Sequence, residues 1–228
     1  EMNQSRQNFI LSDGRNLEYL TNGIHSDSAI ILHAGTTQDI AGWQTWLDYF
    51  ASKGVLSLSF GRSGYAGSTK QPGRITIDVA KDVAELSQHL GITKFVNLGL
   101  SGGGQHAIAT GLDPRSVGVV TVGSLAPFAE LGERFYDGMQ QADLDEYADA
   151  LRDINDLVKR FQKWQDGNVA DSVAGAELSE RDQLAASKTT WKVVLDSCAF
   201  TMEKSWDWVA DDYSSYLQPW GFDPRDVK

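Results

Sequence analysis

Cysteine is nearly absent: Cys198 is the only one in 228 residues. No internal disulfide can form, and a cross-linked scaffold built for an oxidising compartment is excluded. On a helical stretch, a lone cysteine reads as a small buried hydrophobe. Histidine is scarce as well, at 25, 33, 89 and 106 only, with none between Ala107 and Lys228. Lys and Arg number 20 against 31 Asp and Glu, leaving a net charge of −11. Nucleic-acid binding needs clustered cations for the phosphates, so that class is excluded, and anionic membrane surfaces are disfavoured. No apolar run approaches the ~20 residues of a spanning helix, and no charged, apolar leader opens the chain. The acidic residues, among them Asp39, Asp211 and Asp212, form no metal-ligand spacing. These absences lead to the expectation of a soluble, cytoplasmic protein that needs no metal or cofactor. Its partner is then a small-molecule substrate rather than nucleic acid or membrane.

What is present is an ordinary globular composition, 41% hydrophobic and 22% charged, long enough to bury a real core. Phe9–Leu11 and Leu17–Leu20 around Asp13-Gly14 give a hairpin signal. Ala29–Leu32, Val55–Phe60, Phe95–Leu98 and Val117–Val122 are strand-like apolar runs. Helical patterns alternate with them, over Trp43–Lys53 and along Ile75, Val79, Val83, Leu86 and Leu90. Alternation of this kind predicts a mostly parallel sheet with helices on both faces.

After Pro127 the pattern turns helical. Apolar residues at 144, 147, 148, 151, 154, 158 and 161 predict one long amphipathic helix from Leu144 to Trp164. Ser179-Glu180-Arg181-Asp182 resembles a capping box before a second stretch running to about Met202. The expected organisation is a core over 1–126, a helical cap over 127–219 and a returning segment over 220–228.

The most informative stretch is Gly99-Leu100-Ser101-Gly102-Gly103, which closes one apolar run and opens a small-residue helix. Strand, sharp turn and helix around G-x-S-x-G form the setting of a nucleophile elbow. There Ser101 is exposed on a strained turn, and the Gly102 N–H can receive a developing oxyanion.

Gly99-Leu100-Ser101-Gly102-Gly103-Gly104-Gln105-His106-Ala107-Ile108-Ala109 resembles the elbow of cap-bearing serine hydrolases of the α/β-hydrolase superfamily, esterases and proline iminopeptidases among them. Gly61-Arg62-Ser63-Gly64-Tyr65-Ala66-Gly67-Ser68 is similar to a second family segment, and Pro219-Trp220-Gly221-Phe222 to the return from the cap. His33-Ala34-Gly35 corresponds to the family's oxyanion loop. The resemblance implies an acyl-enzyme on Ser101, with Gly102 and Gly35 N–H groups as the oxyanion hole. His33, Thr36 and Tyr65 are candidate pocket residues. Ala34, Gly61 and Ser63 depart from the family's glycine, aspartate and proline. The family's catalytic Asp and His follow two further strands, so the expectation is a C-terminally truncated fold whose acid and base lie beyond Lys228. A partner chain or a homodimer is then expected to cover the open edge at Val117–Val122.

Residue by residue, His33 reads as a buried imidazole satisfied by backbone, and His106, five positions beyond Ser101, as a packing residue. Glu130 and Glu133 read as solvated, and one of Trp206 and Trp208 as facing the cleft. The function expected is hydrolysis of a small carboxylic ester or related acyl substrate. The alternatives are a proline-iminopeptidase-like aminopeptidase, whose acidic cap residues would bind a substrate's amino group, and a non-catalytic small-molecule-binding homologue.

Overall fold

The structure is a computed structural model describing residues 5–166 and 179–227. Six strands form one sheet in the order β1-β2-β4-β3-β5-β6: β1 Gln7–Ile10, β2 Asn16–Thr21, β3 Ser28–His33, β4 Leu56–Phe60, β5 Lys94–Leu100 and β6 Ser116–Val122. β3, β4, β5 and β6 run parallel, while β2 is antiparallel to both β1 and β4. The Asp13-Gly14 hairpin therefore adds an antiparallel margin to a parallel sheet. β3 lies at the centre, and its alternate residues serve two cores. Ala29 and Ile31 pack with Val79, Val83 and Leu86 of helix α2 (Asp78–His89), whereas Leu32 packs with Trp43 and with Leu47 of helix α1 (Gln44–Ser52). Continuous apolarity is what a strand covered on both faces requires.

Helix α3 (Gly104–Thr110) follows β5 closely. A Cβ on Gly99 would lie 2.7 Å from Gly103 O and Gly104 Cα, so only glycine lets strand and helix approach this far. From Phe128 to Pro219 no strand occurs among the described residues. The expected cap span includes 167–178, which lie outside them. The elements are α4 Phe128–Leu131, α5 Gln141–Arg152, α6 Ile154–Asp166, α7 Glu180–Ala186, α8 Thr189–Lys204 and α9 Asp207–Leu217. α4, α5, α6, α8 and α9, with the 3-10 segment Gly132–Tyr136, share a third core that includes Phe135, Tyr147, Leu157, Phe161, Trp208 and Tyr213.

Two expected helices are broken. The single helix predicted from Leu144 stops at Asp153, which is extended (φ −161°, ψ 121°) and accepts from Asn155 N at 2.9 Å. A short carboxylate that caps the following turn competes with helix continuation, and the apolar period alone does not register this. The stretch beginning at Ser179 does start with a side-chain cap, Asp182 N to Ser179 Oγ at 3.2 Å. It ends early, where Ser187 Oγ turns back to Leu184 O at 2.7 Å and Lys188 is extended.

Candidate active site

Parallel pairing sets the site. β3 and β5 end together, His33 opposite Gly99, so the loops leaving them meet at the carboxyl end of the sheet. Ser101 has φ +49°, a left-handed conformation that non-glycine residues occupy at a cost of about 1–3 kcal/mol. It begins a 3-10 turn, Ser101–Gly103, that runs into α3. A Cβ on Gly35 would sit 3.4 Å from Ser101 Cβ, so the loop after β3 lies directly against the elbow. A Cβ on Gly103 would strike the carbonyl oxygens of His33 and Ala34. Glycine at 103 is a condition of this contact.

Ser101 opens into a cavity of about 330 Å³, near the lower end of small-molecule sites. Thr36, Thr37 and Leu125 line the sheet side. Met139, Asp143, Glu146, Tyr147 and Phe161 come from the helical segment, and Tyr213 and Tyr216 from α9.

Of the expected pocket residues, Thr36 lines this cavity, while His33 and Tyr65 do not. Both are buried beneath it. His33 Nε2 meets Asn97 Oδ1 at 3.0 Å, and Asn97 Nδ2 donates to Ser116 Oγ, so the imidazole is held by a side chain and not by backbone. Burial lowers its pKa to about 4, with Arg62 adding to that effect and the Asn97 bond opposing it. His106 is also fully buried, with Nδ1 3.4 Å from Thr76 O, and burial together with Arg62 and Arg74 holds it well below the usual imidazole range. Among the described residues that line the cavity there is no histidine. Neither Trp206 nor Trp208 lines it; Trp208 packs between Tyr65 and Phe161, with tilted rings at centroid distances of 5.5 and 5.6 Å. Glu130 and Glu133 are exposed. The Gly35 N–H donates to Gln38 Oε1 at 2.9 Å, so in this arrangement it is already engaged.

Asp212, Arg62, Arg74 and Tyr216, missed from sequence as site residues, join the expected Tyr65 and Thr36 in a buried polar cluster under the cavity floor. Asp212, fully buried, receives Arg62 Nη2 at 2.7 Å, Tyr65 OH at 2.5 Å and Tyr216 OH at 2.8 Å, together with Arg74 Nη2. Tyr216 OH also meets Thr36 Oγ1 at 2.8 Å. A Cβ on Gly102 would collide with both of these hydroxyls, so Tyr216 and Thr36 flank the backbone just past Ser101. Arg62 Nη1 donates to Ala34 O, which ties the same ion cluster to the loop after β3. Burial opposes ionisation of Asp212, yet Arg62 and Arg74 outweigh it and hold the carboxyl well below the usual range. The cluster thus fastens α9 to the core and fixes the loop beside the elbow.

The family model of the alpha/beta hydrolase fold matches residues 28–214. The chain belongs to that family. Solved structures similar to this α/β-hydrolase include an enol-lactonase from Burkholderia xenovorans LB400 (16% identity, TM-score 0.64, 97% of this chain and 78% of that one). An esterase from Exiguobacterium antarcticum aligns with 17% identity and a TM-score of 0.62, covering 98% of this chain and 76% of its own. A hydrolase from Pseudomonas aeruginosa PA01 matches at 18% identity and TM-score 0.62, over 94% and 73%. At such identities the likeness is one of fold. Among the described residues of this α/β-hydrolase, no group of three or more His, Cys, Asp or Glu is placed to hold a metal ion, and no helix is long and apolar enough to cross a membrane.

Proposed function

We propose that the chain is a serine hydrolase acting on a small carboxylic ester through an acyl-enzyme on Ser101. The observation that carries this is Ser101 itself: a non-glycine residue at φ +49°, exposed, at the mouth of a cavity. Ligand binding alone requires no serine on a strained turn. In the reading, Ser101 Oγ attacks the ester carbonyl and its proton passes to a base. That base returns the proton to the departing alkoxide, which leaves as the alcohol, and water then attacks the acyl-enzyme, releasing the acid and restoring the Ser101 hydroxyl. The Gly102 N–H receives the oxyanion. Gly35 supplies a second donor once Gln38 releases its N–H. No imidazole stands among the described lining residues to take the proton, and loss of triad members costs on the order of 10⁴ to 10⁶ in turnover.

The test is hydrolysis of p-nitrophenyl acetate and butyrate by the pure chain, beside Ser101→Ala. Expected is turnover far below about 1 s⁻¹, abolished by the substitution, with a fluorophosphonate adduct on Ser101 by intact mass. Turnover left intact by Ser101→Ala would overturn the reading. Turnover above about 1 s⁻¹ that is lost in Ser101→Ala would instead reveal a base within the chain.

A further inference from the structure

The loop leaving β3 holds a donor in a fixed direction and an acceptor in a poor one. Arg62 Nη1 donates to Ala34 O, and the same carbonyl lies against Gly103, so the Ala34–Gly35 peptide cannot turn over. The direction of the Gly35 N–H is thereby set. Its acceptor is Gln38 Oε1 at 2.9 Å, and Gln38 N donates back to Gly35 O at 3.2 Å. A Cβ on Gly35 would lie 3.4 Å from Ser101 Cβ and 3.6 Å from Gln38 Oε1, so the amide oxygen reaches Gly35 on the side that Ser101 occupies.

This closed turn is not a relaxed one. Gln38 is 2% exposed, and its Nε2 is buried without a hydrogen-bond partner among the described residues. A buried donor left unpaired loses its hydration and gains nothing in return. A Cβ on Gly42 would meet that nitrogen and Ser197 Oγ of α8 at 2.5 Å each, so a hydroxyl stands nearby that the amide does not use. Thr37, just before Gln38, sits at φ +67°, where a β-branched residue is a genuine outlier. Thr37 N donates to Tyr65 OH at 3.2 Å and Thr37 Oγ1 to Thr36 O at 2.6 Å, which keeps the strained residue in place. Strain persists only where the surroundings over-determine it, and it collects at functional sites.

We propose that Gln38 is an internal competitor for the oxyanion: its amide oxygen fills the place at Gly35 in the resting chain and yields only to an acceptor that carries charge. This role rests on the hydrolase reading of Ser101. A neutral ester carbonyl accepts no better than an amide oxygen, so a bound ester leaves Gln38 where it is. The oxygen that becomes negative as Ser101 Oγ attacks accepts a bond about twice as strong and displaces it. Gly35 then donates in the transition state and not before, which raises turnover instead of tightening the ground state. Gln38 acts through Gly35 and is a positioning residue.

Gln38→Met tests this, because it keeps the length of the side chain and removes both amide groups. The reaction to follow is phosphonylation of the full chain by an alkyl fluorophosphonate, with Ser101→Ala as the blank. Ser101 Oγ bonds to phosphorus, fluoride leaves with the P–F electron pair, and the serine proton passes to water. The phosphoryl oxygen takes the oxyanion's place. The second-order rate constant, read by intact mass, is expected to rise about two- to tenfold in Gln38→Met, the worth of one neutral hydrogen bond that no longer has to be displaced. A Gln38 that merely supports the loop would give a lower rate on its removal. A rate that falls or stays the same in a folded Gln38→Met overturns the proposal. Where that variant does not fold, a crystal structure of the wild-type adduct decides: the phosphoryl oxygen is expected on Gly35 N, and Gln38 Oε1 still bonded there overturns the proposal. No adduct on Ser101 in either chain sinks the hydrolase reading and the competitor with it; an adduct formed at one rate in both sinks the competitor alone.

Discussion

Replacing Asp212 by Asn is expected to cost far more than the loss of one charge suggests. Asp212 has no exposure, and Arg62 and Arg74 are each 3% exposed, so neither guanidinium can turn to water when its partner is neutralised. The amide keeps the size of the carboxylate but leaves two buried cations facing each other. It also offers one acceptor oxygen where Arg62, Arg74, Tyr65 and Tyr216 now converge. Breaking a buried pair by removing one partner costs about 3–5 kcal/mol. For a domain of this size that is roughly 6–20 °C in Tm. The control is Asp211→Asn, one residue away on the same helix. Asp211 accepts from Ser63 Oγ at 3.0 Å and Gln71 N at 3.3 Å and makes no ion pair among the described residues, so its loss should stay within about 1.5 kcal/mol. Urea unfolding of both variants, with m compared to wild type, gives the two values. Equal costs, or less than about 1 kcal/mol for Asp212→Asn, would refute the reasoning. The pH dependence has a definite sign. A depressed folded pKa gives stability that is complete above the unfolded value near 3.9 and lost only as pH falls through the folded one, so mild acid should leave this cluster intact.

His33 carries the same sign in a higher pH window: its folded pKa of about 4 lies below the unfolded 6.5, so the unfolded chain binds the proton first and stability falls as pH drops below about 6.5, by roughly 2 kcal/mol at about pH 5. His33→Gln should flatten that part of the stability–pH curve, and an unchanged slope would show the imidazole is not what titrates. The outer edge of β6 is a second target. Among the described residues β6 pairs only with β5, carries no charge, and exposes Val117, Val120 and Val122 at 65%, 48% and 53%. We propose that it pairs with a second copy of the chain. Sedimentation should show self-association that Val120→Lys weakens, and a wild type that stays monomeric at high concentration would dismiss the idea.

The legible part of this protein is the part in which backbone conformation and covered faces dictate residue type. The β5 run, the glycines at 99 and 103 and the small-residue helix after them can be read because each answers a steric demand that few residues satisfy. The break at Asp153 could not be read from apolar period, since 151, 154, 158 and 161 stay in phase across it. Only the local competition of a carboxylate for the next turn's N–H groups ends the helix there.

The buried ion cluster was legible in principle. In α9 the residues at 208, 209, 212, 213 and 216 recur at helical spacing, and four of them are Trp, Val, Tyr and Tyr. Asp212 falls inside that apolar stripe. A carboxylate on a buried face must be neutralised or paired, because an isolated charge there is too costly to keep. Arg62, in a loop quoted for its likeness to a family segment, is the required partner, 150 residues earlier in the chain. Spacing that finds a charge where a hydrophobe belongs therefore predicts a partner without naming it. Which cation answers is decided by the sheet, which brings the loops after β3 and β4 together beneath α9. The same order of events governs the cavity above. Asp143 and Glu146 look like members of an ordinary acidic helix until the contacts of Tyr213 with Glu146 and Tyr147 fix that helix over the cavity that holds Ser101.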